Sequence, residues 1–135
     1  MRAVIQRIAR ASVTADGKPS GKARKGLLIL LGVAPEDKEE DAFLLADKIV
    51  KLRIFSDENG KMNLSLKDIS GEALVVSNFT LYANYVHGNR PDFFGSAAPA
   101  LAEPLYETFV SRLKTAVESV ETGVFGADMQ IDLCA

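Results

Sequence analysis

Gly26-Leu27-Leu28-Ile29-Leu30-Leu31-Gly32-Val33 is the stretch on which the fold turns. It is apolar without interruption, far shorter than the ~20 residues needed to cross a bilayer, and long enough for a strand buried on both faces. It therefore predicts the central strand of a sheet. Upstream, residues 2–9 and 11–15 are rich in Val, Ile and Thr, and Asp16-Gly17 supplies the two positive-φ positions of a type I′ turn. A hairpin follows, with its return strand near residues 18–23. Downstream, Pro35 closes the apolar run, and Asp37 with Glu40 has the spacing of a capping box. A helix over about 38–52 is expected, with Ala42, Leu45, Ala46, Ile49 and Leu52 as one buried stripe.

Further along, residues 53–56 and 62–66 read as short strands around the turn Asp57-Glu58-Asn59-Gly60. Glu72 to Tyr82 reads as one long strand, with Ser77 and Phe79 on one face and Asn78 and Thr80 on the other. Residues 83–98, which contain Gly88, Pro91, Gly95 and Ser96, read as loop. A second helix is expected from 99 or 103 to 119, with Pro104 tolerable only in its first turn and Leu105, Phe109, Leu113 and Ala116 as its stripe. Ala127, Met129, Ile131 and Leu133 then alternate with polar residues as in a half-buried strand. These elements predict an α+β fold, a curled, mainly antiparallel, barrel-like sheet with two helices on one face. A doubly wound nucleotide-binding fold is disfavoured, because there is no glycine-rich phosphate loop and no regular strand-helix alternation.

The chain has 135 residues, 47% hydrophobic and 25% charged, which are the proportions of one globular domain and exclude a disordered chain. No apolar run predicts a membrane span. The first residues, Met1-Arg2-Ala3-Val4-Ile5-Gln6-Arg7, have arginines around a short apolar stretch and no small-residue cleavage site, so a cytoplasmic protein is expected. Net charge is only −2, but residues 1–67 carry 13 Lys+Arg against 9 Asp+Glu while residues 68–135 carry 3 against 9. The early basic excess suits either a phosphate-bearing partner or a solvated hairpin.

The chemical inventory is small: one His, one Cys and no Trp. The common routes through a His-paired nucleophile or a metal-activated water have almost no material, so neither a metal nor a cofactor is expected. His87 lies ten residues after Ser77, but a lone loop histidine with no orienting acid reads as a solvated side chain. Cys134 cannot form an internal disulfide. The stronger candidate is Ser77-Asn78-Phe79-Thr80, because hydroxyls and an amide that interrupt an apolar strand must find hydrogen-bond partners. They either bind a ligand or merely tie down the strand end. Gly88-Asn89-Arg90-Pro91-Asp92-Phe93 is the second candidate, where Arg90 before a rigid proline is either an anion contact or half of a loop salt bridge.

Several collinear stretches together resemble the D-aminoacyl-tRNA deacylases of the bacterial and eukaryotic type. They are Arg2 to Arg7 with Ala11-Ser12-Val13, Gly26 to Val33, Arg53 to Asp57 with Gly60-Lys61-Met62-Asn63, Ser77 to Leu81, Gly88 to Pro91, Leu105-Tyr106-Glu107 and Phe125 to Met129. The resemblance covers nearly the whole chain. It implies a homodimeric, cofactor-free α+β hydrolase that cleaves the ester of D-aminoacyl-tRNA, and of glycyl-tRNA mischarged on tRNA(Ala), as a proofreading step in translation. No other protein partner is implied.

Carried over by position, the family's Ser-Gln-Phe-Thr-Leu motif falls on Ser77-Asn78-Phe79-Thr80-Leu81, with asparagine replacing glutamine and reaching about one methylene less far. The resemblance implies catalysis by Ser77, Asn78, Phe79 and Thr80, with backbone N–H groups of Asn78 or Phe79 as oxyanion donors. The nucleophile is either Thr80 or, preferably, a water helped by a neighbouring ribose hydroxyl, with Ser77 and Thr80 orienting the substrate. Met129 would flank the adenine, Arg7 would brace the pocket, and Arg90 would serve substrate binding. Family members also continue into an Asn-x-Gly-Pro-Val-Thr segment that enters the partner subunit's pocket and excludes L side chains. The expectation here is a single domain over residues 1–135 without that segment. The alternatives are a catalytically impaired tRNA-binding or structural relative and, less favoured, a general esterase of small aminoacyl esters.

Overall fold

The computed structural model describes residues 1–135. The apolar run forms strand β4, Gly26–Gly32, flanked by β1, Arg2–Ile8, and β7, Glu72–Ser77, in a four-stranded sheet of order β1-β4-β7-β8. Its leucines are buried on both faces because both faces are covered. On one face, Leu27, Ile29 and Leu31 meet Ala73 and Val75 of β7 and the helices α1, Glu39–Lys51, and α2, Pro99–Lys114, around the fully buried Phe109. On the other, Leu28, Leu74 and Val76, with Ile8 of β1, meet Ala11, Val13 and Ala23 from a second sheet. That sheet has the order β3-β2-β9, built from β2 (Arg10–Ala15), β3 (Lys18–Ala23) and β9 (Met129–Cys134). Three layers result, with both helices on the same outer face.

The amino-terminal hairpin is as the sequence predicts, with Asp16 and Gly17 both at positive φ. The sheet itself corrects the expectation of a mainly antiparallel barrel. The pairs β4–β7 and β7–β8 are parallel, β8 being Val120–Thr122, and no ladder joins β3 to β8 to close the structure. The physical reason is the helices. Each of α1 and α2 lies on the connection that carries the chain back across the sheet, so the next strand of that sheet runs parallel to the one before the helix. β8 has only three residues, too few for a pattern to register in the sequence.

Four local expectations also change. Helix α1 is capped by Lys38, whose N–H donates to the Asp41 carboxylate at 2.8 Å, while Asp37 accepts the Ala34 N–H at 2.7 Å. The small strands are β5, Phe55–Ser56, and β6, Met62–Leu64, shorter than expected. Pro104 lies inside α2 because Pro99 opens that helix. The carbonyl it leaves unbonded, Ala100's, belongs to the exposed first turn, where water can satisfy it. Ala116 is exposed beyond the helix end at Lys114, and Val117 is buried in its place.

Candidate active site

Strand β7 ends at Ser77, five residues short of the expected end at Tyr82, and the chain turns into a 3-10 helix over Phe79–Tyr82. The predicted long strand is therefore wrong beyond Ser77, and with it the assignment of alternate faces to residues 77–80. Asn78 is the cause. Its N–H still completes the sheet, donating to the Leu31 carbonyl at 2.8 Å, but its side-chain carbonyl accepts the Thr80 N–H at 3.1 Å and the Thr80 hydroxyl. That is an N-cap, which pulls residues 79–82 out of strand geometry. Gly32 makes room for the turn: a Cβ there would stand 3.1 Å from the Asn78 carbonyl oxygen and 3.2 Å from Leu81 Cβ. Arg2 braces the far end, donating to the Leu81 carbonyl at 2.6 Å with its guanidinium 4.5 Å from the Tyr82 ring centre.

This turn forms one wall of a cavity of about 480 Å³ at the carboxyl ends of the parallel strands β4 and β7. Ligands favour that position in sheets with parallel strands. Ser77 and Asn78, with the Phe79 backbone, contribute the polar wall. Phe93 packs edge-on against Phe79, with ring centres 5.1 Å apart. The first turns of α2 supply Pro99, Ala102 and Tyr106, and Phe125 and Met129 complete the apolar lining. Gly123 admits the Met129 side chain, since a Cβ there would collide with the thioether sulfur.

Tyr106 links this cavity to the core. Its hydroxyl donates to the Val75 carbonyl at 2.9 Å, an oxygen that also accepts the Gly123 N–H at 3.1 Å. Burial pushes the phenol up to about 12, with the nearby Thr122 hydroxyl acting in the opposite direction. The group is thus neutral at physiological pH and serves as a hydrogen-bond donor.

A larger groove of about 750 Å³ runs between the β2–β3 hairpin and β8. Its charges are mixed and partly engaged, Arg24 pairing with Glu72 at 2.9 Å and Glu121 accepting the Lys22 backbone N–H. It offers no convergent polar set. The smaller cavity, with few polar groups on an apolar lining, has the chemistry of a small-molecule site.

Of the residues singled out by sequence, Ser77, Asn78, Phe79 and Met129 come together in the cavity. Thr80 does not line it. Its hydroxyl proton is held by the Asn78 amide oxygen, which is not a base, so the contact does not activate it as a nucleophile. Arg7 lies elsewhere, donating to the Ile54 carbonyl at 2.8 Å beside a separate depression with Lys25 and Phe55. Arg90 and His87 are exposed on the 83–98 loop and do not line the cavity, so no Ser77–His87 pair exists. The Asn78 N–H is spent on Leu31, which leaves Phe79 as the backbone donor of the two named from sequence. Gly32, Arg2 and Tyr106 were not foreseen as parts of the site. Tyr106 alone carried a signal, a hydroxyl placed beside the apolar stripe of its helix.

The D-Tyr-tRNA(Tyr) deacylase family model matches residues 4–135. A protein of Thermosipho africanus named D-aminoacyl-tRNA deacylase is 56% identical over 133 residues, covering 98% of this chain and 89% of that protein. One of Desulfatibacillum aliphaticivorans with the same name is 56% identical over 133 residues, covering 98% and 91%. Among solved structures, the c-Myc DNA Unwinding Element Binding Protein is 38% identical with a TM-score of 0.92, covering 99% of this chain and 91% of that one. No helix is long and apolar enough to cross a membrane.

Proposed function

The chain belongs to the D-Tyr-tRNA(Tyr) deacylase family, and on that premise we propose that it hydrolyses the ester joining a D-amino acid to the terminal adenosine of tRNA. The observation that carries the reading is the cavity walled by Ser77, Asn78 and Phe79 at the capped end of β7, where a backbone donor stands over an apolar pocket. As the first residue of the 3-10 turn, Phe79 has an N–H with no acceptor one turn back. It is the oxyanion donor in this account. The Asn78 side-chain NH₂ is the second, since the amide oxygen is already fixed by Thr80.

An aminoacyl ester is already activated, so donors aimed at the developing oxyanion, each worth roughly 3 kcal/mol, supply much of the catalysis. A water attacks the ester carbonyl carbon and a tetrahedral oxyanion forms against these donors. The bond to the ribose oxygen then breaks, and that oxygen takes a proton relayed through the neighbouring ribose hydroxyl. Ser77 orients the ester, Thr80 acts through Asn78, and Met129 with Phe79 flanks the adenine. Arg90 meets RNA phosphate, and Arg7 acts by holding β5 rather than from within the cavity.

The proposal extends to glycyl-tRNA mischarged on tRNA(Ala), to a homodimer, and to a proofreading role in the cytoplasm. The alternative of an impaired relative is not favoured, because the named deacylases match at 56% identity across the chain. The test is release of amino acid from D-tyrosyl-tRNA and from glycyl-tRNA(Ala). Release from both is expected. No release from D-tyrosyl-tRNA, with an intact family member active in parallel, overturns the proposal.

A further inference from the structure

The loop 83–98 holds an unusual surface. Tyr85, Val86 and Phe94 are 74%, 78% and 89% exposed, a concentration of large apolar side chains in water on a single short segment. The loop is not slack. Asn84 and Asp92 exchange both backbone hydrogen bonds at 2.9 Å, which closes it like the base of a hairpin. The side chains of the same two residues then turn the chain outward, Asn84 accepting the Val86 N–H at 3.1 Å and Asp92 the Phe94 N–H at 3.3 Å. The backbone is thus fixed where the aromatic side chains leave it.

The surface is continuous with the cavity. Phe94 stands between Phe93 and Ser96, both of which line the cavity, and Phe93 is itself packed on Phe79. A substrate whose terminal adenosine enters the cavity has this rim as a path along which its preceding nucleotides can lead out. Aromatic faces are what unpaired bases stack on, in a sequence-tolerant way, and a nearby arginine suits the backbone between them. Arg90 is exposed on this loop, whose one acid, Asp92, is committed to the Phe94 turn.

Resting on the deacylase reading, we propose that this loop is a stacking platform for the unpaired nucleotides that precede the terminal adenosine. Tyr85 and Phe94 are the stacking faces and Arg90 the phosphate contact. The platform makes the enzyme prefer a full RNA over a small aminoacyl ester without touching the scissile bond. Being exposed and outside the cavity lining, the two aromatics can be removed without disturbing the hydrolytic wall.

The test compares two substrates, D-tyrosyl-tRNA and D-tyrosyl-adenosine, in the wild type, Tyr85→Ala, Phe94→Ala and Phe94→Trp. A four-nucleotide RNA ending in CCA is titrated against each variant as a binding probe. The alanine variants are expected to raise KM for D-tyrosyl-tRNA about tenfold and to weaken the RNA probe to the same degree. Turnover of D-tyrosyl-adenosine and the sedimentation mass stay unchanged, and Phe94→Trp restores RNA binding. Equal losses on both substrates, or no loss on either, overturn the platform. A change in sedimentation mass with unaltered RNA binding also overturns it and assigns the surface to a second copy of the chain. Should the wild type cleave neither ester, the hydrolase reading falls separately, and the RNA probe still decides the platform.

Discussion

Replacing Tyr106 by phenylalanine removes one hydroxyl from the boundary between core and cavity and leaves the ring's packing against Phe125 in place. At neutral pH the cost is one buried hydrogen bond. The Val75 carbonyl keeps its second donor, the Gly123 N–H, so the loss is the net worth of one bond, about 1 kcal/mol. For a domain of this size that lowers Tm by roughly 3–5 °C.

At alkaline pH the sign reverses. The phenol is held up to about 12 in the folded protein against an ordinary value of 10.0, so the native state favours the protonated form. That preference contributes stability in full below pH 10, and the contribution is lost as pH rises from 10 towards 12, because the unfolded chain ionises first. Two pKa units correspond to about 3 kcal/mol in the limit. The wild type therefore leads Tyr106→Phe by about 1 kcal/mol from pH 7 to 9, the two are level at about pH 10.7, and the variant leads by about 1 kcal/mol at pH 11.5. Urea unfolding of both proteins across pH 7–11.5 measures the difference, in which every other titrating group cancels. A difference that stays constant with pH would refute the reasoning, because it would mean the hydroxyl is solvated rather than sealed.

Three further substitutions test other parts of the account. Gly32→Ala forces a methyl to about 3 Å from the Asn78 carbonyl; a stability loss of about 1–3 kcal/mol and a fall in kcat on D-tyrosyl-tRNA are expected, measured by urea unfolding and single-turnover deacylation. Asn78→Ala removes the cap that ends β7, and deacylation is expected to slow by more than tenfold while the circular dichroism spectrum is retained. Phe109→Ala opens a cavity at a fully buried position between sheet and helices and is expected to cost about 3–5 kcal/mol in thermal or urea unfolding.

The parts of the fold that repeat a pattern were legible in the sequence. The two-residue turn at Asp16-Gly17, the doubly buried β4 and the stripe Ala42, Ala46, Ile49 are local consequences of residue type and period. Where a single side-chain hydrogen bond decides, the pattern misleads. Phe79-Thr80-Leu81-Tyr82 has the composition of a strand, and the Asn78 amide converts it to a 3-10 turn. The parallel pairing of β7 with β8 was hidden for a related reason, since three residues after a helix carry no periodicity and their register is set by tertiary contact. Of the cavity's lining, Ser77, Asn78 and Phe79 were marked in the sequence by the polar interruption of an apolar run and by the family motif, and Met129 by the family resemblance alone. Arg2 and Gly32 were not, because one acts through a backbone carbonyl and the other by having no side chain.

The account's central claim is that the end of β7 hydrolyses the ester without a side-chain nucleophile. The direct measurement is single-turnover deacylation of D-tyrosyl-tRNA by the wild type, Ser77→Ala and Thr80→Val, with acid quenching to trap any acyl-enzyme. The prediction is a loss of more than tenfold for Ser77→Ala, a loss of less than about tenfold for Thr80→Val, which removes only the hydroxyl's bond to Asn78, and no tyrosine covalently attached to protein. Abolished hydrolysis in Thr80→Val, together with a trapped tyrosyl ester in the wild type, would contradict it and make Thr80 the nucleophile.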